Sequence, residues 1–291
     1  MLLVSRSAGP NDMTWENVTP LSMAISYGHE EIVQLLLREG AEPDLPTGSL
    51  YSSPLQVAVA HGMLNTVRIL MAHGADPTYC SAGGWSILHY LYDRDSSIHG
   101  YEFAAVLGYD LLFDEIKDSQ GWTALHRCAA FGTANDIGLL HRLGASPFPD
   151  RYITNQGWTP VHIAALMDNT STLEALLHLG TSAMGMRDMI SLNLSVPNFV
   201  DTHGWTPLHV AVYRSASSTI SYLLRRKADP QQRTYCTAGW FPPGYEGEAL
   251  DTIDIAKLNG EKSLFHYVYL LNEAGYEVTT DGEDVFWEAY V

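Results

Sequence analysis

The sequence is poor in cysteine, in basic residues and in long apolar runs, and each shortage excludes a class of protein. Only 3 of its 291 residues are cysteine, and they show neither the even number of a disulfide framework nor the Cys-x-x-Cys spacing of a structural zinc site. No run approaches the roughly 20 apolar residues of a membrane helix, and the amino terminus lacks the apolar core of a secretory signal. We therefore expect an intracellular protein, cytoplasmic or nuclear, that binds no metal and lies in a reducing compartment.

The shortage of positive charge narrows the choice of partner. The chain has 16 Lys and Arg against 33 Asp and Glu, which gives a formal net charge of -17. Such an excess repels nucleic-acid phosphates and anionic lipids. We expect no direct binding of nucleic acid and no binding to a membrane surface. Hydrophobic residues make up 46% of the chain and charged residues only 17%, so an intrinsically disordered chain is also excluded.

The sequence does contain a motif that recurs along the whole chain. A hydroxyl residue, often followed by proline, opens a short apolar segment at Thr19, Ser53, Ser86, Thr123, Thr159, Thr206 and, in a weaker form, Thr252. The steps between these positions are 34, 33, 37, 36, 47 and 46 residues. Most repeats also end alike, as residues 35–43, 69–77, 139–147 and 222–230 show. The longer steps place extra residues in loops at 181–203 and 231–249, which we expect on the binding side.

The chemistry of the motif predicts a pair of helices in each repeat. The hydroxyl group can cap a helix, and proline suits the first helical position because its missing N–H is not needed there. A second apolar segment follows, and a glycine such as Gly40 or Gly74 ends it. A single helix pair cannot bury its apolar face alone, so neighbouring pairs must stack into a continuous core.

These repeats resemble the ankyrin-repeat family over nearly the whole chain. The resemblance implies an all-α repeat solenoid, in which stacked helix-turn-helix repeats carry projecting β-turn or hairpin fingers. We assign residues 1–276 to this domain, with a leading half repeat at 1–11. That half repeat is either the remnant of a longer ancestral chain or an end that something else covers. The remaining residues, 277–291, form an acidic and aromatic tail, which either docks on the last repeat or stays free as an acidic-hydrophobic activation segment.

Four histidines invite a search for a catalytic or metal site, but their positions argue for structure. His89, His126, His162 and His209 lie at the same place in successive repeats, and stacked helices are about 8–10 Å apart, too far to share a zinc ion. The resemblance implies that each imidazole bonds near the hydroxyl residue of its own motif. The sequence contains no nucleophile elbow, no phosphate-binding loop and no zinc-protease motif. We expect no catalytic residue, no cofactor and no small-molecule substrate.

The candidate binding residues are aromatic and lie in the turns. Trp85, Trp122, Trp158 and Trp205 each follow a glycine and precede the hydroxyl residue of a repeat. The resemblance places this position on the projecting turn, where large amphipathic rings are typical of binding hot spots. Two similar turns, at 78–85 and 234–240, add Tyr79, Tyr235 and Trp240 to the set. The alternative is that each indole packs on the adjacent turn and stiffens the row.

These features together predict a noncatalytic protein-binding adaptor. Within that class we favour a regulatory protein of the transcription-coregulator type, whose acidic surface covers the basic surface of a transcription factor. A substrate-recruiting adaptor of a ubiquitin ligase is the second interpretation. An enzyme is the third.

Overall fold

The structure is a computed structural model that describes residues 9–92, 100–107, 116–145, 153–183, 198–235, 249–281 and 284–287. Residues 1–8 of the expected half repeat, most of the two long loops and Trp240 lie outside the described residues. The chain divides into two compact units, residues 1–127 with 138–145 and residues 128–137 with 146–291. Within the described part the secondary structure is fourteen α-helices and one β-hairpin.

The helices come in consecutive pairs. The first unit contains α1 (Pro20–Ser26), α2 (Glu30–Arg38), α3 (Pro54–Ala60), α4 (Leu64–Ala72), α5 (Ile87–Leu91) and α6 (Gly100–Leu107). Residues of α7 (Ala124–Phe131) and α8 (Ala134–Arg142) are shared between the two units. The second unit contains α9 (Pro160–Leu166), α10 (Thr170–Ala183), α11 (Pro207–Tyr213), α12 (Ser217–Arg225), α13 (Thr252–Leu258), α14 (Glu261–Glu273), β1 (Val278–Asp281) and β2 (Asp284–Trp287).

The first helix of each repeat begins where a side chain can cap it. The N-caps of α1, α3, α5, α9 and α11 are Thr19, Ser53, Ser86, Thr159 and Thr206, and each has a capping box with the residue three positions later. Proline follows the N-cap in four of these helices. The capping chemistry of the motif thus fixes where these helices start.

The last repeat departs from the expected capping residue. The sequence pattern put Thr252 in the capping position, but the N-cap of α13 is Asp251, whose carboxylate accepts the N–H groups of Ile253 and Asp254. Thr252 is instead buried, and its hydroxyl donates to the carbonyl of Pro230 at 2.6 Å. The carboxylate is the better acceptor for two amides, since charge strengthens both hydrogen bonds.

Each unit is held together by apolar contacts between neighbouring pairs. In the first unit α3 packs on α1, α4 and α5, with Leu55 and Val59 fully buried. In the second unit α11 packs on α9, α12 and α13, with Leu208 and Val210 fully buried. This arrangement confirms the predicted all-α class of stacked helix pairs. None of the described helices combines the length and apolarity needed to cross a bilayer.

The carboxyl-terminal segment forms a hairpin that the sequence did not predict. Strands β1 and β2 pair antiparallel, with Val278 opposite Trp287. Strand β1 packs against α14, where Val278 is buried. The side-chain amide of Asn272 donates to the Val278 carbonyl and accepts the Val278 N–H, both at 3.1 Å. One side chain therefore acts as a strand partner and fixes the start of the hairpin on the last helix.

Candidate protein-binding surface

Two of the buried histidines, His89 and His162, connect their own repeat to the next turn. Nδ1 of His89 accepts the backbone N–H of Ser86, and its Nε2 lies 2.9 Å from the carbonyl of Trp122. A carbonyl can only accept, so Nε2 carries the proton and the ring is the neutral tautomer. His162 makes the same pair of contacts to Thr159 and to the carbonyl of Trp205. The expected bond to the hydroxyl residue of the motif is confirmed in four repeats, at 2.7–2.9 Å.

Burial keeps these rings uncharged. Removal from water lowers the pKa of His89 and of His162, and it lowers the pKa of His209 to about 4. In the second repeat Gln56 takes the place of the histidine, and its amide donates to the carbonyls of Tyr79 and Trp85. These side chains are therefore structural connectors. Among the described residues no three His, Cys, Asp or Glu side chains lie together as a metal site would require.

Successive turns touch through the glycines that precede Trp85, Trp158 and Trp205. Gly84 has a φ of +73°, and a Cβ added there would lie 2.9 Å from the Lys117 carbonyl in the next turn. Gly204 has a φ of +80°, and its added Cβ would lie 2.7 Å from the backbone nitrogen of Tyr235. Backbone hydrogen bonds join the same turns, from Tyr235 N–H to the His203 carbonyl for example. Only glycine permits both the positive φ and this close approach.

Three of the predicted tryptophans, Trp85, Trp122 and Trp205, pack against aromatic rings of their own repeats. Trp205 is only 4% exposed and packs edge-on against Tyr213, with ring centroids 6.0 Å apart. Its burial favours the packing alternative and leaves little area for a partner. Trp85, Trp122 and Trp158 are half-buried. Their role in partner binding stays a prediction.

Arg127 occupies the space between two of these indoles. Its guanidinium carbon lies 3.6 Å from the ring centroid of Trp85 and 5.8 Å from that of Trp122. The guanidinium also pairs with Asp118 at 3.1 Å, and both side chains are largely buried. Asp118 in turn accepts the backbone N–H of Trp122. The guanidinium of Arg127 thus makes cation-π contacts with Trp85 and Trp122 within the protein. This cluster holds adjacent turns together.

The tyrosines predicted in the turns have different environments. Tyr79 is half-buried, and its hydroxyl donates to the carbonyl of Tyr51. Tyr235 is exposed on the turn beside Gly204. Trp240, the third residue of that group, lies outside the described residues.

The most exposed aromatic surface is one that sequence reasoning missed. In the first two turns, Trp15 is 90% exposed, and Met13, Leu50 and Tyr51 also project into solvent. These turns are joined side by side, because Gly48 N–H donates to the Asn17 carbonyl. We call Met13, Trp15, Leu50, Tyr51 and Tyr79 the N-terminal finger surface.

Position explains why this surface was missed. Trp15 lies three residues before Val18, the residue that takes the place of the later tryptophans, so it does not belong to the Gly-Trp pattern. Its sequence context could have identified Trp15. A tryptophan in a short polar segment, where no helical pattern of apolar residues includes it, has no core position to occupy and is expected on the surface.

The three turns that form the N-terminal finger surface themselves contain charges of one sign only. The turns at 9–18, 41–52 and 75–85 contain no Lys or Arg, but they contain Asp12, Glu16, Glu42, Asp44 and Asp76. Asp44 and Asp76 also order the turns, since Asp44 accepts the N–H of Asp76 at 2.8 Å. The surface therefore combines exposed aromatic rings with negative potential, which suits a partner that carries cationic side chains.

Comparison with known proteins agrees with this architecture. The chain matches the family "Ankyrin repeats (3 copies)" over residues 21–107, 107–188 and 154–234, and it therefore belongs to the ankyrin-repeat proteins. Human "Ankyrin repeat and MYND domain-containing protein 1" is 47% identical over 45 residues, which are 16% of this chain and 5% of that protein. The chain thus matches only a small fraction of that relative.

Solved structures share the fold. The ankyrin repeat domain of Bcl-3, described as a member of the IkappaB protein family, gives a TM-score of 0.58 at 20% identity, covering 87% of this chain and 99% of that chain. A chain from the complex of the Bd0816 predatory endopeptidase of Bdellovibrio bacteriovorus with immunity protein Bd3460 gives 0.50 at 24% identity, covering 60% and 88%. At these identities the likeness establishes the ankyrin-repeat solenoid and nothing further.

Proposed function

We propose that this protein is a noncatalytic adaptor that binds a basic protein through the N-terminal finger surface. Ankyrin repeats are protein-interaction modules, and the observation that carries the finer proposal is the exposed ring of Trp15 among turns that have only acidic charges. The rings of Trp15 and Tyr51 supply apolar area and cation-π contacts to Arg or Lys. The acidic turns steer a positively charged partner toward them.

The partner class that we favour is a transcription factor with a basic surface. The net charge of -17 supports this choice, because it favours covering a cationic protein and opposes direct contact with nucleic acid. In this proposal Tyr79 lies at the edge of the surface that contacts the partner. Trp85 and Trp122 stabilise the neighbouring turns and do not themselves contact the partner. The alternative is that the protein recruits substrates to a ubiquitin ligase, and the experiment must distinguish this role from that of a coregulator.

Affinity capture from native extract tests the proposal. The wild-type chain is compared with a Trp15→Ala, Tyr51→Asn variant, in which asparagine suits the φ of +52° at position 51. The control is Phe265→Ala with Tyr269→Ala, which removes two exposed rings from α14. We expect basic partners to be lost with the finger variant and retained with the control.

The identity of the lost partners decides between the two adaptor roles. Transcription factors support a coregulator, whereas ubiquitin-ligase subunits support the recruiting adaptor. Partners retained by the finger variant contradict the proposed surface. A second variant, Trp122→Ala with Trp158→Ala, tests the tryptophans predicted from sequence: lower thermal stability with intact binding would assign them to packing.

A further inference from the structure

The turn between α13 and α14 contains the one Asn-Gly pair of the sequence, Asn259-Gly260. Asn259 is the C-cap of α13, and Gly260 follows it with a φ of +99°. An asparagine side chain can be attacked by the backbone nitrogen of the next residue, and glycine hinders this attack least because it has no Cβ. A Cβ added at Gly260 would meet nothing within 4 Å. The pair therefore has the chemistry of a deamidation site in an uncrowded turn.

The reaction consists of two steps, and water is its co-reactant. The backbone nitrogen of Gly260 bonds to Cγ of Asn259, the bond from Cγ to Nδ2 breaks, and the side-chain nitrogen leaves as ammonia with the proton of the Gly260 N–H. A cyclic succinimide remains. Water then adds to one of the two ring carbonyl carbons and breaks its bond to the ring nitrogen. The product is aspartate or, when the backbone continues through the side chain, isoaspartate.

In the folded chain both reacting groups are engaged in hydrogen bonds. Nδ2 of Asn259 donates to the carbonyls of Val212 and Tyr213, at 3.1 and 2.9 Å, where α11 ends. The N–H of Gly260 donates to the Lys257 carbonyl at 2.9 Å. Attack on Cγ requires the side chain to leave α11 and the Gly260 nitrogen to turn away from α13. The closed repeat therefore protects Asn259, and the reaction proceeds from a locally opened state.

The product cannot remake the contacts that protected the asparagine. A carboxylate has no N–H to donate, so the carbonyls of Val212 and Tyr213 lose this donor and face a negative charge in its place. A partly buried acceptor beside a like charge destabilises the closed state. Isoaspartate also lengthens the backbone at the C-cap of α13. Deamidation therefore weakens the contact between the last repeat and α11, and the change is not reversed by refolding.

Asn169 provides a comparison within the same chain. Its Nδ2 also donates to carbonyls of the preceding repeat, those of Ala130 and Gly132. The residue after it is Thr170, whose β-branched side chain hinders attack by its own backbone nitrogen. The two asparagines thus make the same kind of contact but differ in reactivity. The contact between repeats does not itself require an Asn-Gly pair.

We propose that Asn259 is a deamidation site that reacts when the turn after α13 leaves α11, and that the resulting carboxylate opposes closure of the last repeat. The site is a one-way conformational switch set by opening of α13 and α14. The inference is independent of the proposed partner at the finger surface, because it depends on residues of α11, α13 and the turn that follows α13.

Peptide mass spectrometry of the full chain, aged at neutral pH, tests the site. We expect aspartate and isoaspartate to accumulate at Asn259 and not at Asn169, and to form at least about tenfold faster in urea than in buffer. Tyr267→Phe removes the buried hydrogen bond from α14 to Thr252 of α13. It should speed the reaction about fivefold in buffer, because the repeat opens more often, and leave the rate in urea unchanged.

Asn259→Asp carries the product side chain from the start and tests its consequence. We expect amides of α13 and α14 to exchange about tenfold faster in this variant than in the wild type. The matched control is Asn65→Asp, which makes the same charge change at an exposed position of α4 and should leave exchange in α13 and α14 unchanged. Absence of product at Asn259 in both buffer and urea overturns the proposal, as do equal rates in the two solvents. Unchanged exchange in Asn259→Asp also overturns it.

Discussion

The buried imidazoles of His89 and His162 join the N-cap of their own repeat to the following turn, and only the neutral ring can make both contacts. Nδ1 of His209 accepts the N–H of Thr206 at 3.0 Å, so protonation of that nitrogen would remove the bond. Burial further disfavours protonation, because the charged ring would lose its hydration. The histidine is thus a structural residue whose contribution depends on pH.

This dependence gives a prediction for His209. Its pKa is about 4 in the folded chain, below the ordinary value of 6.5, so the unfolded state binds more protons between these two pH values. The stabilisation is complete above about pH 6.5 and is lost as the pH falls toward 4. The difference between the pKa values corresponds to about 3 kcal/mol. Urea unfolding followed across this pH range measures the loss.

The matched variant for this prediction is His209→Gln. Glutamine is native at the equivalent position in repeat two, where Gln56 caps Ser53 and bonds the next turn. We expect the variant to show a weaker dependence of stability on pH than the wild type. An unchanged dependence would assign the effect to other groups.

At the scale of elements, the turns depend on close contact between backbones. Gly204 combines a positive φ with an approach to Tyr235 that a Cβ would obstruct. Gly275 has a similar φ of +88° but has nothing within 4 Å of an added Cβ. A substitution at Gly275 therefore tests backbone strain alone, whereas the same substitution at Gly204 tests backbone strain and the contact between turns together.

We predict that Gly204→Ala destabilises the protein more than Gly275→Ala. Both changes cost about 1 kcal/mol for a non-glycine residue at positive φ, but only the first displaces the next turn. The additional loss for Gly204→Ala should be about 1–3 kcal/mol, as for other overpacked sites. Denaturant unfolding of the two variants measures the loss in the free energy of unfolding. Equal losses would show that the neighbouring turn can move to make room for the Cβ without destabilising the protein.

The helix starts could be predicted from sequence because capping is local. Thr206 and Pro207 carry the information for α11 within a few residues, as Ser53 and Pro54 do for α3. The exception was α13, because Asp251 and Thr252 are both capable N-caps and only the distant Pro230 carbonyl distinguishes them.

The candidate site was less predictable because its exposure depends on distant residues. The burial of Trp205 depends on Tyr213, and ring area of Trp85 is used by Arg127, far along the chain. Trp15 was missed because no repeat pattern marks it. Motif position predicted which residues form the turns, but it did not predict which of their rings face solvent.

At the scale of the molecule, a repeat protein gains stability from its helix pairs and from the interfaces between them. Helix α11 packs on both α9 and α13, so it has a covered interface on each side. In the described part of the chain, the main contacts of α1 are with α2 and α3, while Met23 of α1 and Ile32 of α2 are exposed. Among the described residues, the helices of repeat one are therefore less completely covered than those of the sixth repeat.

Amide hydrogen exchange should reveal that difference. We predict that amides of α1 and α2 exchange faster than those of α11 and α12, by about tenfold for each 1.4 kcal/mol by which their local stability is lower. Equal rates in the two repeats would mean that the exposure of Met23 and Ile32 does not lower the local stability of repeat one.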